Sequence, residues 1–308
     1  MVTTVTLNPM LDKTVAVDRL RRGALTRAAS VETIVGGKGI NVARQLRALG
    51  EEAVATGFLG GETGTLIERL LVAEDIPHEF VRVAGMTREG VSYREKDGTV
   101  TSVFEPPACV TADETERLEE KCRLLAPRSA WVVCSGSSPC PEADDVFRTI
   151  VLASRERGIP VACDSYGPAL ARAVEAAPDL IKPNREEYRL TFGKDLPSLT
   201  AMVDAAREAV RRGVRYCIIT DGPRPFAAAS KEGAWTVQPP AVNTVNPTGS
   251  GDCLVAGVLH GLLSGWSFPD SLAFGAAAGS ANAQVWEVAT STPDDIGALL
   301  PQVKTTKV

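Results

Sequence analysis

The sequence has no long apolar run, no paired cysteines and no excess of positive charge. No apolar run approaches the ~20 residues that a membrane span needs, and the first residues lack the charged and apolar regions of a signal peptide. The seven cysteines contain no C-x-x-C pair, which argues against a zinc site or a disulfide framework and favours a reducing cytoplasm. The net charge of −5 gives no reason to expect nucleic-acid binding.

The composition and the order of the predicted elements indicate one α/β domain covering residues 1–308. With 44% apolar and 23% charged residues, the chain is ordinary for a folded protein and long enough to bury a sizeable core. From residue 113 onward, predicted helices alternate with short, nearly continuous apolar strands. These strands are Trp131–Ser135, Pro160–Asp164, Leu180–Lys182 and Tyr216–Thr220. Such alternation predicts a mostly parallel sheet covered on both faces.

A second group of strands differs in composition and suggests a separate small sheet. These segments are short and polar, and they lie at 13–18, 28–34, 91–95 and 100–104. The dipeptide Asp97-Gly98 between the last two is a strong hairpin signal. We expect a small lid formed from about 12–34 and 88–105. The alternative is an ordinary edge extension of the main sheet.

Polar residues follow several of the predicted parallel strands. They are Ser135-Gly136-Ser137, Asp164, Lys182 with Asn184, and Asp221-Gly222. Because ligands bind beyond the carboxyl ends of parallel strands, these residues predict a site on one rim of the sheet.

The stretch Asn246–Ala256 carries the strongest local signal for chemistry. Gly249 and Gly251 permit a tight turn, and an apolar run with helical spacing follows it. Free backbone N–H groups at the start of that helix would form an anion site. Asp252 lies there, as a base that could take a proton from a hydroxyl. The alternative is that Asp252 is only a helix cap.

Two common phosphate-binding patterns are absent. Neither Gly37-Lys38 nor Gly193-Lys194 is followed by Ser or Thr, so the Walker pattern fails. The dinucleotide pattern fails because Val42 stands where its third Gly belongs. This argues against P-loop NTPases and typical NAD enzymes.

Three motifs in order resemble those of the PfkB, or ribokinase-like, family of carbohydrate kinases. They are Gly36–Ala43, the N-x-x-E element within Lys182–Glu187, and Asn246–Gly257. Thr6–Asp12 and Gly36–Arg44 are most similar to the 1-phosphofructokinase and tagatose-6-phosphate kinase subgroup. The resemblance covers nearly the whole chain. It implies a ribokinase-like three-layer α/β/α sandwich with a small β-sheet lid.

The resemblance also implies roles for individual residues. Asp252 matches the catalytic base, and the amides of Gly249, Ser250 and Gly251 match the anion hole. The residues expected to contact the sugar are Asp12, Gly37, Asn41 and Ser137. The residues expected to contact the nucleotide are Lys182, Asn184, Thr220, Gly222, Gly249, Gly251, Ser280 and Asn282. Asn184 and Glu187 match the element that organises Mg²⁺, largely through water. A base with an ordinary carboxylate pKa would suffice, because the hydroxyl proton leaves late.

A sugar that already carries phosphate needs cations away from the reacting hydroxyl. Lys38, Arg88 and Arg27 are the candidates. Lys38 lies inside the sugar-binding motif, and Arg88 stands beside the predicted lid where the subgroup has a matching Arg. Arg27 is equally well explained as a solvated surface charge.

The chain departs from the subgroup at two places. Ser138-Pro139-Cys140-Pro141 stands where the subgroup usually has Leu-Pro-Pro-Gly, which leaves the exact sugar open. Pro223–Phe226 follows Gly222 where a second Gly is usual, which leaves the nucleotide preference open.

The resemblance therefore implies an ATP- and Mg²⁺-dependent kinase of a ketohexose monophosphate. Fructose 1-phosphate giving fructose 1,6-bisphosphate is the favoured reaction. Tagatose 6-phosphate or fructose 6-phosphate comes second, and an unphosphorylated sugar or nucleoside third. A non-catalytic phosphosugar or nucleotide sensor is the rival from another class. The exposed face of the lid could pair two subunits into a homodimer.

Overall fold

The computed structural model describes residues 1–308, which form fourteen strands and ten α-helices. The strands are β1 (Val2–Thr6), β2 (Met10–Val17), β3 (Ser30–Gly36), β4 (Ala53–Gly60), β5 (Val81–Val83), β6 (Arg88–Glu95), β7 (Val100–Phe104), β8 (Trp131–Ser135), β9 (Val161–Asp164), β10 (Leu180–Ile181), β11 (Tyr216–Ile219), β12 (Phe226–Ser230), β13 (Gly233–Gln238) and β14 (Lys304–Lys307). The helices are α1 (Lys38–Ala48), α2 (Gly61–Ala73), α3 (Ala112–Leu125), α4 (Val146–Arg155), α5 (Gly167–Glu175), α6 (Arg185–Phe192), α7 (Leu199–Arg211), α8 (Ser250–Leu263), α9 (Phe268–Ala283) and α10 (Pro293–Leu299). None of these helices is both long and apolar enough to cross a membrane.

The larger sheet has ten strands in the order β14-β13-β12-β11-β10-β9-β8-β1-β4-β5. Its seven strands from β5 to β11 are parallel, and the three strands at the other edge are antiparallel. Every residue of β8, β9 and β11 is buried, which accounts for their continuous apolar sequences. The predicted α/β fold with a mostly parallel central sheet is confirmed.

The register of the central strands brings their carboxyl ends together. Thr6 pairs with Ser135, and Ser135 pairs with Asp164 on the next strand. The polar residues that follow these strands therefore share one rim of the sheet, as the sequence predicts.

The smaller sheet is separate and has the strand order β3-β2-β6-β7. This confirms a small second sheet and excludes an extension of the main sheet. The hairpin between β6 and β7 turns at Gly98, whose φ is +89°. We call β2, β3, β6 and β7 the lid. That the lid opens and closes stays a prediction.

Helices α8 and α9 pack backbone to backbone along a line of glycines. A Cβ placed on Gly257 would lie 2.8 Å from the Cα of Gly275. One placed on Gly279 would lie 2.7 Å from the carbonyl oxygen of Ser250, the first residue of α8. We call the contacts of Gly257, Gly275 and Gly279 the glycine seam. The seam holds the start of α8 directly against α9.

Three C-terminal elements, α9, α10 and β14, do not follow from the residue pattern. Almost every residue of α9 is buried, so its sequence has no polar face from which a helical period could be read. All seven cysteines are free thiols. The cytoplasmic location inferred from their spacing stays a prediction.

Candidate active site

A tight turn before α8 forms the centre of the site. Gly249 caps the helix with φ +80°, a left-handed conformation that favours glycine. A Cβ at this position would lie 2.4 Å from Cγ1 of Val288. The Asn246 side chain accepts a hydrogen bond from the Thr248 amide at 3.1 Å. We call residues 246–252 the catalytic turn.

The turn presents three amides that have no acceptor within the chain, those of Gly249, Gly251 and Asp252. The amide of Ser250, predicted to be an anion-hole donor, instead donates to the Pro247 carbonyl at 3.2 Å. The prediction for Ser250 is therefore corrected, because the turn itself supplies an acceptor for its amide. The positive end of the α8 dipole adds to the pull of the three free amides on an anion.

Asp252 is buried, and a chain of hydrogen bonds orients it. Asn41 Nδ2 donates to Asp252 Oδ2 at 2.8 Å, and Arg44 donates through Nη1 to Asn41 Oδ1 at 2.9 Å. Asn41 was predicted to contact the sugar, and the structure places its side chain on the base. Arg44 was not predicted to act here. Its position in the Gly36–Arg44 motif, one helical turn after Asn41, is the signal that could have identified it.

A cluster of charges lies beside the turn. Asp164 Oδ1 is 3.2 Å from Lys38 Nζ and 3.1 Å from Lys182 Nζ. Lys38 Nζ is also 2.6 Å from Glu187 Oε1. A Cβ on Gly251 would lie 3.2 Å from Lys182 Nζ, so this ammonium group borders the anion hole. The cluster combines two cations with carboxylates at one edge of the site.

The pKa of Asp252 is well above its ordinary value. Burial is the main cause, and the neighbouring Asp164 carboxylate adds to it. Lys38, Lys182 and the Asn41 hydrogen bond lower the pKa, and the net result is about 7. An ordinary carboxylate pKa was expected to suffice. The structure gives Asp252 more proton affinity than that, which suits a general base near neutral pH.

This pKa predicts how activity depends on pH. Only the ionised carboxylate accepts a proton, so kcat/KM should rise with pH and level off above about 7. The measurement is kcat/KM in overlapping buffers between pH about 5.5 and about 8.5. Arg27→Met is the control, since this exposed arginine makes no ion pair and its loss should change neither the plateau nor the midpoint. A profile that is flat across this range would contradict the assignment.

The candidate metal site consists of the carboxylates of Asp164 and Glu187 and the side-chain amide of Asn184. Asn184 and Glu187 form a capping box at the start of α6, because each side chain accepts a hydrogen bond from the other's amide at 2.8–2.9 Å. The second Glu187 oxygen accepts a hydrogen bond from Lys38 Nζ, and Asp164 Oδ2 is buried without any hydrogen-bond partner. A sparse oxygen set with an unpartnered carboxylate oxygen fits Mg²⁺, which keeps several of its waters.

Four of the predicted nucleotide residues lie outside the catalytic turn and the charge cluster, two of them after β11 and two in α9. Thr220 directly follows β11, and its carbonyl accepts a hydrogen bond from the Arg185 amide at 2.9 Å. Gly222 follows in an exposed left-handed turn with φ +59°. Ser280 is buried in α9. Asn282 is buried too, and it donates to the Thr248 carbonyl at 2.8 Å and to Ser250 Oγ at 3.1 Å. Asn282 therefore supports the catalytic turn from behind.

Asp12 lies on the lid strand β2 between two glycines of neighbouring strands. A Cβ on Gly36 or Gly90 would lie 2.3 or 3.0 Å from its carboxylate oxygens. Burial raises the pKa of Asp12 to about 6, although the Arg88 guanidinium lowers it. The two glycines make room for the carboxylate that was predicted to contact the sugar. Gly37, also predicted to do so, caps α1 with φ +137°.

Arg88, Asn8 and Ser137 form a polar group where the lid meets β1. Arg88 donates through Nη2 to the Asn8 carbonyl at 3.3 Å, and Asn8 Nδ2 donates to Ser137 Oγ at 3.1 Å. Arg88 Nε is buried without a partner, and burial lowers the pKa of this arginine. Asn8 was not predicted as a site residue, although it lies within the Thr6–Asp12 motif.

The other two predicted phosphate cations lie elsewhere. Lys38 points into the charge cluster with Asp164 and Glu187. Arg27 is exposed between β2 and β3 and makes no ion pair. Of the three candidates, Arg88 is linked to Ser137 through Asn8.

Sequence and structure comparisons agree on one family. Residues 6–295 match the family described as pfkB family carbohydrate kinase. The 1-phosphofructokinase of Escherichia coli (strain K12) is 32% identical over 262 residues, which are 85% of this chain and 84% of that protein. The 1-phosphofructokinase of Bacillus subtilis (strain 168) is 31% identical over 308 residues, 100% of both chains. The crystal structure of phosphofructokinase-2 from Escherichia coli in complex with fructose-6-phosphate matches with a TM-score of 0.88 and 28% identity over 98% of each chain.

Proposed function

The chain belongs to the pfkB family of carbohydrate kinases and is a phosphotransferase acting on a sugar hydroxyl. From this premise we propose that it is an ATP- and Mg²⁺-dependent kinase of a ketohexose monophosphate, with fructose 1-phosphate as the favoured acceptor and fructose 1,6-bisphosphate as product. The observation that carries the proposal is the pairing of two anion sites. The free amides beside Asp252 form one, and the Arg88–Ser137 group forms the other.

In this mechanism Asp252 takes the proton of the acceptor hydroxyl as that oxygen bonds to the γ-phosphorus of ATP. The bond from phosphorus to the ADP oxygen breaks, and ADP leaves. The amides of Gly249, Gly251 and Asp252 hold the transferred group, and Lys182 adds a positive charge. Mg²⁺ would neutralise charge on the donor phosphates, and Asn184, Glu187 and Asp164 are the residues that would hold it, largely through water.

Lys38 takes a different place in this proposal from the one predicted. Burial lowers the pKa of Lys38, but the carboxylates of Asp164 and Glu187 raise it by more. The pKa is therefore above its ordinary value, and the ammonium group stays charged. We assign Lys38 to the transferred phosphoryl group, because its ammonium lies with the charge cluster. Arg88 is then the principal cation for the phosphate already on the sugar.

A substrate panel tests the proposal directly. ADP release would be followed with Mg-ATP and fructose 1-phosphate, fructose 6-phosphate, tagatose 6-phosphate, fructose, ribose or adenosine. Turnover confined to the phosphorylated sugars would support the proposal and identify the acceptor. Turnover only with ribose or adenosine would keep the kinase and reject the phosphosugar. Tagatose 6-phosphate or fructose 6-phosphate as the best acceptor would establish the alternative.

Removing the Arg88 guanidinium should weaken binding of phosphorylated sugars selectively. Arg88→Met should raise their KM about 10- to 100-fold, because a hydrogen bond to a charged group contributes about 1.5–3 kcal/mol. The small kcat on unphosphorylated fructose should change little. Arg27→Met is the matched control, since that arginine is exposed and unpaired. Equal losses on fructose and on the phosphosugar would contradict the role of Arg88.

The lid also supports the proposal of a homodimer. Its outer strands expose large apolar side chains, namely those of Val31, Ile34, Val100, Val103 and Phe104. Exposed apolar side chains on the two edge strands of the lid are where a second subunit could pack. Sedimentation of the wild type and of Val103→Asp would test it. A monomeric wild type would overturn the dimer.

A further inference from the structure

One cation–π contact connects the lid to the C-terminal part of the chain. The guanidinium carbon of Arg94, on β6, lies 4.3 Å from the centre of the Trp286 ring. Every other side-chain hydrogen bond or ion pair of the lid strands ends within the lid or on residues near it in sequence. Arg94–Trp286 is therefore the one such contact through which the lid reaches beyond residue 200.

Trp286 belongs to a segment that is bonded to the catalytic turn. The Asn246 side chain donates to the Trp286 carbonyl at 2.9 Å. Two residues later, Val288 packs on Gly249, where any side chain would collide with it. The Ala289 amide then donates to Asn282 Oδ1 at 2.7 Å, and Asn282 supports the turn. Trp286 is thus one hydrogen bond away from the catalytic turn.

Strand β6 spans the sugar side of the site. One face of β6 carries Arg88, Gly90 and Arg94, because these residues lie an even number of positions apart. Arg88 touches the body at one end of β6, Gly90 lies beside Asp12, and Arg94 touches Trp286 toward the other end, about 20 Å away by strand geometry. The strand is therefore attached to the body on both sides of the proposed sugar site.

We propose that Arg94 and Trp286 are positioning residues that hold the lid closed over the sugar and couple its position to the catalytic turn. The inference rests on the proposed function for its consequence, but the contact can be tested without any substrate. Losing a partly exposed cation–π contact should lower the ratio of closed to open lid by about 2- to 30-fold. The apparent KM for the sugar should rise as the closed fraction falls, by at most this factor, because only the closed lid binds it well. The effect on kcat should be smaller, since bound sugar restores closure.

The first arm measures the lid in the protein without ligands. The amides of β2 and β6 are bonded within the lid, so their exchange reports local unfolding of the lid. Because the contact stabilises the lid against that unfolding, exchange should be about 2- to 30-fold faster in Arg94→Ala and Trp286→Ala than in the wild type. The emission of Trp286 should also change in Arg94→Ala. Lys96→Ala is the matched control, since it removes a positive charge from the same hairpin without touching Trp286. The conservative variants Arg94→Lys and Trp286→Phe keep a cation over an aromatic face and should restore slow exchange.

The second arm measures KM and kcat for the best acceptor of the panel. Arg94→Ala and Trp286→Ala should raise KM alike, and the double variant should be no worse than either single variant. Unchanged exchange in both alanine variants would overturn the proposal, and so would an equal effect of Lys96→Ala. Faster exchange with an unchanged KM would overturn its catalytic part. If the wild type turns over no acceptor, the proposed function fails, and the exchange arm alone decides whether the contact holds the lid.

Discussion

Asp252→Asn should lower kcat by about 10²- to 10⁴-fold, the usual contribution of a positioned general base. Asparagine has nearly the shape of aspartate, and its amide oxygen can accept the hydrogen bond that Asn41 Nδ2 makes at 2.8 Å. It cannot take a proton from the sugar hydroxyl. The anion hole and the sugar contacts remain, so sugar binding should be largely unchanged.

Two measurements separate catalysis from binding in this variant. ADP release gives kcat, and calorimetric titration with the sugar phosphate gives its Kd. The melting temperature should not fall. Burial already opposes ionisation of the Asp252 carboxyl group, and the variant replaces this group with a neutral one. Turnover equal to that of the wild type would rule out Asp252 as the base. A non-catalytic sensor on this fold would show no turnover in either protein.

Asp164→Asn should destabilise the fold by about 3–5 kcal/mol, the cost of removing one partner of a buried ion pair. The Asp164 and Lys182 side chains are 0% and 3% exposed, so water cannot replace the lost carboxylate. Lys38 keeps Glu187 as a partner, whereas Lys182 keeps none. The free energy of unfolding from urea titration measures the effect.

Two further variants make this prediction specific. Asp164→Asn combined with Lys182→Met should recover most of the lost stability, because no buried charge is left unpaired. Asp113→Asn removes an exposed i,i+4 partner of Arg117 and should change stability by under about 0.5 kcal/mol. If Asp164→Asn lowered the free energy of unfolding as little as Asp113→Asn, the buried charge of Lys182 would not need Asp164 as its partner.

The sequence predicts those features that depend on a few residues close together in the chain. The Asp97-Gly98 hairpin, the catalytic turn before α8 and the strand ends carrying Asp164 and Lys182 all follow from short patterns. The separate lid follows from a change in composition, since its strands alternate polar and apolar residues and those of the main sheet do not. The small sheet was predicted at about 12–34 and 88–105, and its strands lie within 10–36 and 88–104.

What the sequence does not predict depends on contacts through space. The pKa of Asp252 is raised by burial and by Asp164, which lies 88 positions earlier in the printed sequence. The direction of Lys38 is set by Glu187, on a different helix. The Ser250 amide is taken by a carbonyl whose position depends on how the turn closes. Helix α9 gives no period to read, because burial on nearly every face removes the polar side that would reveal it.

The glycine seam limits where substitutions can alter the substrate specificity of this protein. Where α8 meets α9, the end of the catalytic turn is positioned by close contact of the two helices, which leaves no room for a side chain on Gly257, Gly275 or Gly279. The lid, by contrast, holds Asp12 and Arg88 on strands whose neighbours are largely exposed. A selection for activity on a new sugar should therefore recover substitutions on the lid and in the loop carrying Ser137. The seam should stay empty of them, because its geometry serves every acceptor alike.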